Sequence, residues 1–168
     1  MLFRSYVPII ICAVLFASIF GAVYTHKVYG RRTILLAGGL GLGACDLLIG
    51  ICYLFIDRLT DIGWLVMVLL IIYMIIYGAT IGPTVWMYIP EIIPGQVVHI
   101  AATINMISST GCLMLSPVIS DGSGTDASYF TFGGITLMIT LINMFGMKES
   151  KGLDREQIQK VYLGQIPQ

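Results

Sequence analysis

Five apolar runs limit what this chain can fold into more than any other feature. They cover roughly residues 6–24, 33–56, 62–90, 97–120 and 128–147. A helix rises ~1.5 Å per residue and a bilayer core is ~30 Å thick, so about twenty apolar residues make one crossing. Each run meets that length. The expected fold is therefore all-α: a multi-pass membrane bundle of about five helices over residues 1–147, with a polar tail over 148–168.

Composition points the same way. The chain is 57% hydrophobic and 11% charged, with a mean hydropathy of +0.91. A water-soluble domain has no means of hiding that much apolar surface. Formal net charge is zero, so the basic footprint of a nucleic-acid binder is absent and no nucleic-acid partner is expected. The cysteines Cys12, Cys45, Cys52 and Cys112 all fall inside apolar runs and form no CxxC pair, which reads as apolar packing. Two histidines, His26 and His99, are too few and too scattered for a metal site. No catalytic constellation appears among Asp46, Glu91 and His99, so an enzyme is not expected and no cofactor is implied.

The connections HKVYGRR, DRLTD, the short PGQ region and DGSGTDA are polar or turn-rich. If the first of these is cytoplasmic, Lys27, Arg31, Arg32, Lys148, Lys151, Arg155 and Lys160 lie inside. Only Arg4 and Arg58 lie outside. That bias sets the N-terminus outside and the C-terminus in the cytoplasm. Arg31 and Arg32 follow the first run where a cleavage site would otherwise stand, which disfavours a removed signal peptide. Five spans beginning outside are expected to be the later part of something longer. The tail KESKGLDREQIQK alternates in charge and reads as solvated structure, with a weak amphipathic pattern at Leu153, Ile158 and Val161.

Several residues do not suit lipid. Gly39, Gly43, Asp46 and Gly50 share one helix face. Small residues there admit a neighbouring helix, and Asp46 is either a hydrogen-bonded acid in that seam or an ion- or proton-linked group. Asn105, Ser108, Ser109, Cys112 and Ser116 form a second polar face, which must meet other helices or a wet cavity. Pro83 has no N–H and its ring presses on the carbonyl of Ala79, so the third span must kink or open there. Gly78, Gly82 and Trp86 recur at i+4. The indole suits either a sugar-ring face or a membrane interface. Glu91, flanked by Pro90 and Pro94, is expected where those prolines end the helix, on the same side as Arg31 and Arg32. One acid and two arginines there suit a latch between helices.

These landmarks resemble the C-terminal part of sugar porters of the major facilitator superfamily, about helices eight to twelve of twelve. Gly30-Arg31-Arg32 resembles the end of the loop between helices eight and nine. Gly82-Pro83-x-x-Trp86 resembles G-P-x-x-W on helix ten, and Glu91-x-x-Pro94 the start of E-x-x-P-x-x-x-R. Glu149-Ser150-Lys151-Gly152 resembles the P-E-T-K-G tail. The resemblance implies transport of a monosaccharide or small polyol by alternating access within the lipid bilayer. It implies substrate contacts at Gly82, Pro83 and Trp86, with Asn105, Ser108 and Ser109 nearby, Ser109 and Thr110 being the loosely aligned polar positions of helix eleven. It implies a charge network of Arg31, Arg32 and Glu91 that stabilises the outward-facing state. It also implies a missing or separate N-terminal half, which would hold helix seven and its glutamine-rich motif.

The sequence departs from the family in three places. Lys27 stands where the family has an acid, Val98 where it has the signature arginine, and Lys148 where it has proline. His99, beside Val98, reads as a polar boundary residue or a partial substitute for that arginine. These losses leave an alternative: a non-transporting membrane subunit or scaffold derived from a transporter half.

Overall fold

A computed structural model describes residues 2–55, 62–92, 95–147 and Gln157. The segment DRLTD, Pro94 and the tail motif lie outside the described residues. Among these residues six helices follow in order: α1 Leu2–Val28, α2 Arg31–Phe55, α3 Ile62–Ala79, α4 Ile81–Ile92, α5 Gly95–Ser123 and α6 Thr125–Gly146. Helices α3 and α4 make one interrupted span. Among the described residues, five segments are thus long and apolar enough to cross a membrane: Ile9–Val28, Arg31–Phe55, Gly63–Glu91, Val97–Ser123 and Thr125–Gly146. The chain is an all-α, multi-pass membrane protein.

Two connections are shorter than their composition implies. The HKV of the first joins the last turn of α1, where Tyr29 N–H still donates to the Thr25 carbonyl at 2.9 Å. Only Tyr29 and Gly30 remain as a link, and the Ile34 N–H donates back to the Gly30 carbonyl at 3.1 Å. His26 is therefore a helical residue, 9% exposed, and not part of a polar loop. Likewise α5 runs on through Ser123, and Gly124 alone turns the chain into α6. Its φ of 97° lies in the left-handed region, which a residue with a Cβ disfavours. That one glycine replaces most of the loop expected over DGSGTDA.

Helix α2 sits at the centre, packed on α6 and α3 and touching α4 and α1. Its buried face holds Ile34, Gly38, Gly39, Leu42, Gly43, Cys45, Asp46, Ile49, Gly50 and Cys52. The expected small-residue seam is present. A Cβ on Gly39 would collide with the Thr140 side chain, and one on Gly43 would lie 2.6 Å from Leu137 of α6. A Cβ on Gly133 of α6 would lie 3.0 Å from the Asp46 Cβ. Backbones this close trade side-chain volume for dispersion contact, the usual source of helix association in lipid. The outward surface keeps large apolar side chains such as Phe16, Phe20, Leu113 and Phe145. Acyl chains can cover these, whereas water would penalise them.

Candidate functional site

The α3–α4 junction is the centre of the site. Thr80 is a single turn residue between the two helices. Its N–H donates to the carbonyls of Ile76 at 3.0 Å and Tyr77 at 3.4 Å, and its own carbonyl accepts the Thr84 N–H at 3.3 Å. The ladder thus continues on both sides, and the span is interrupted without being unwound. Pro83 leaves one gap, because the Ala79 carbonyl has no N–H four residues on. The hydroxyl of Thr25, reaching across from α1, lies 3.0 Å from that carbonyl and 3.0 Å from the Ala22 carbonyl of its own helix, so its one proton is shared between the two. A polar group orphaned inside a membrane protein needs such a partner.

Beside the junction lies a cavity of about 270 Å³ lined by Leu15, Ile19, Tyr77, Gly78, Gly82, Pro83 and Trp86. Gly78, Gly82 and Trp86 face it together, as their spacing predicts. Helix α1 comes close at Gly78, where an added Cβ would collide with the Ser18 hydroxyl. The walls are apolar. Trp86 is 49% exposed, so its ring has one open side.

A neighbouring cavity of about 370 Å³ shares Ile19 and Pro83 with the first and adds Ala22, Val23, His26, Lys27, Arg31 and Met87. Pro83 is therefore the wall between an apolar slot and a basic one. Helix α4 continues past Pro90 to Ile92, since the fixed φ of proline is itself helical, and Glu91 is still a helical residue. The Arg31 guanidinium meets the Glu91 carboxylate at 3.3 Å. A second nitrogen of Arg31 lies 3.2 Å from His26 Nδ1, and His26 Nε2 lies 3.2 Å from the Thr84 hydroxyl. Thr84 is fully buried and donates in turn to the Thr80 carbonyl. Arg32 donates to the Met144 carbonyl at 2.7 Å, near the C-terminal end of α6. That places a cation at a helix's negative pole.

The polar face of α5 is elsewhere. Asn105, Ser108 and Ser109 are exposed. Ser108 and Ser109 line a third cavity of about 560 Å³ with Cys112, Leu113, Ser116 and Phe132. None of these residues lines the Trp86 cavity. The chain therefore presents two candidate ligand surfaces, one on α1, α3 and α4 and another on α5 and α6.

Thr25 and Thr84 are absent from the site expected from the sequence, and His26 enters it only as a histidine at the edge of a polar connection. One signal was available: Thr80 and Thr84 sit one helical turn apart around Pro83, in an otherwise apolar span. A buried hydroxyl at Thr84 and a half-buried one at Thr80, beside an orphaned carbonyl, call for partners. Which helix supplies them is a tertiary fact.

Comparison with known proteins decides the family. The family described as Sugar (and other) transporter matches residues 3–162. This chain belongs to that family. As a member of the sugar-porter group of the major facilitator superfamily, it is kin to transporters and not to enzymes. A metabolite transport protein of Bacillus subtilis is 25% identical to it over 78% of this chain and 30% of its own length. A high glucose sensor of Saccharomyces cerevisiae is 26% identical over 83% of this chain and 20% of its own length. A glucose transporter of Staphylococcus epidermidis is 26% identical over 82% and 32%, respectively. The chain spans about a fifth to a third of the length of these curated relatives.

Proposed function

We propose that this sugar-transporter chain forms part of a carrier for a monosaccharide or similar small polyol, working by alternating access. The single observation that supports this most is the interrupted span, whose proline and open indole face border one cavity. A break in a membrane helix is tolerated where it is buried in protein or lines a pathway. Trp86 supplies a flat apolar face for a sugar ring, and Gly82 and Pro83 supply the bend.

The apolar walls limit the role of this chain. Sugar hydroxyls need hydrogen-bond partners, and in this reading those come from outside the Trp86 cavity. The candidates are the amide and hydroxyls of Asn105, Ser108 and Ser109 on α5, and an N-terminal half packed against that face. Alternating access then is rocking of the two halves around the site. The Arg31 end is the cytoplasmic one, and Arg31, Arg32 and Glu91 hold that end closed in the outward-facing state.

The test is labelled-hexose uptake into liposomes by the chain alone and by the chain with an N-terminal half. Saturable flux with the partner, reduced at least tenfold by Trp86→Ala, is the expected result. A tenfold loss corresponds to about 1.4 kcal/mol of lost contact, a modest share of an aromatic face. Flux indifferent to Trp86→Ala overturns the site. A second reading, a non-transporting membrane subunit, is favoured by the likeness to a glucose sensor and by Lys27 and Val98 replacing the latch charges. Hexose binding without flux in either preparation selects it.

A further inference from the structure

The contacts around His26 fix which ring nitrogen carries the proton. A guanidinium has donors and no acceptor. The His26 Nδ1 that faces Arg31 at 3.2 Å must therefore be the bare, accepting nitrogen. The proton then lies on Nε2, which faces the Thr84 hydroxyl at 3.2 Å. That hydroxyl is already committed as a donor to the Thr80 carbonyl, so its oxygen is free to accept. The result is a chain with one direction: Glu91 holds Arg31, Arg31 donates to His26, His26 donates to Thr84, and Thr84 donates to Thr80. It begins at the ion pair and ends on the turn residue between α3 and α4. Three helices, α1, α2 and α4, contribute to it.

We infer that His26 is a positioning residue, held as the neutral Nε2–H tautomer, which ties the Arg31–Glu91 ion pair to the helix break at Thr80–Pro83. The link is conditional on the ring being neutral. A doubly protonated ring puts an N–H against the guanidinium, and the contact turns repulsive. The charged groups around the ring among the described residues are Arg31 from α2, Glu91 from α4 and, on its own helix, Lys27, which lines the same cavity. Protonation therefore frees the α3–α4 junction from the ion pair. This is a property of the folded chain and is read out without any transport, so it stands or falls separately from the proposed function.

The experiment uses the full chain in nanodiscs. With His99→Gln, His26 is the only imidazole, and nitrogen-15 spectra report its tautomer directly. The expected spectrum at pH 7.5 is a neutral ring protonated at Nε2, with the Nδ1–H form appearing only in Arg31→Gln, where no guanidinium forbids it, and Nε2–H retained in Thr84→Val. Amide exchange of residues 80–84, normalised to residues 133–140 of α6, reports the junction. His26→Leu is expected to speed it about tenfold, the effect of losing one ordinary hydrogen bond on local opening. His26→Gln keeps an amide donor toward Thr84 and an acceptor toward Arg31, and is expected to restore protection. Acidifying the unsubstituted chain until the ring titrates is expected to match the Leu variant, while the Gln variant does not respond. A ring protonated at Nδ1 or on both nitrogens at pH 7.5 overturns the assignment. So does equal exchange in the Leu and Gln variants. Should His26→Leu misfold, Thr84→Val gives the same reading from the other end of the link.

Discussion

Pro83 removes one N–H from the third span, and a residue on another helix makes good the loss. The Ala79 carbonyl shares the Thr25 hydroxyl with the Ala22 carbonyl instead. Thr25→Val keeps the shape and removes the donor. The expected cost is about 1–3 kcal/mol, the usual penalty for a stranded buried polar group, read as a lower unfolding midpoint in detergent. Pro83→Ala supplies an N–H within the helix, so Thr25→Val is expected to cost clearly less in that background. A double-mutant cycle measures the difference, and additive effects contradict the account. By contrast, Glu91→Gln removes an ion pair whose partners are 18% and 32% exposed. Its expected cost to stability is under about 1 kcal/mol, with the effect, in the proposed carrier, falling on the inward–outward balance. At this scale the sequence was half legible. The gap at Pro83 follows from proline chemistry, and Trp86 from its spacing to Gly78 and Gly82. Thr25 and His26 do not follow, because HKVYGRR has the composition of a loop although only Tyr29 and Gly30 link the two helices. The partner of an orphaned carbonyl is set by helix packing, which no local pattern encodes.

At the scale of elements, α2 organises the bundle. Its glycine face meets Thr140, Leu137 and Gly133 of α6. Gly43→Leu drives a side chain into Leu137. Overpacking of this kind costs about 1–3 kcal/mol, so the unfolding midpoint of the variant is expected to drop, with α2 and α6 losing exchange protection together. An unchanged midpoint contradicts the seam. This seam was legible because glycines at three- and four-residue spacing share one face. The direction of the α5 stripe was not. Periodicity puts Asn105, Ser108, Ser109, Cys112 and Ser116 on one face but is silent about what covers it. In the structure α5 lies at the edge, against α6 and the end of α4, with those side chains exposed or at the surface of a shallow cavity. The Gly124 turn was missed for a related reason. Polar residues read as loop, yet Asp121 and Gly122 extend α5, and the reversal needs only one left-handed glycine.

For the whole molecule, the number of spans was legible from run length alone, since hydrocarbon thickness fixes the count. The proposed orientation makes a separate prediction. Single cysteines placed at Tyr29 and Ser123, in a chain with its native cysteines replaced, are expected to react with an impermeant thiol reagent from opposite sides of sealed vesicles, Tyr29 from the cytoplasmic side. Labelling of Tyr29 from the outside reverses the topology. The central claim is that the break in the third span looks onto a ligand pathway and not onto acyl chains. The direct measurement is tryptophan emission from Trp64→Phe, which leaves Trp86 as the only indole. It is recorded in brominated lipid with an N-terminal half present and with hexose titrated in. The account predicts emission that brominated acyl chains leave nearly unquenched and that hexose changes saturably. Strong quenching by the lipid with no response to hexose would contradict it.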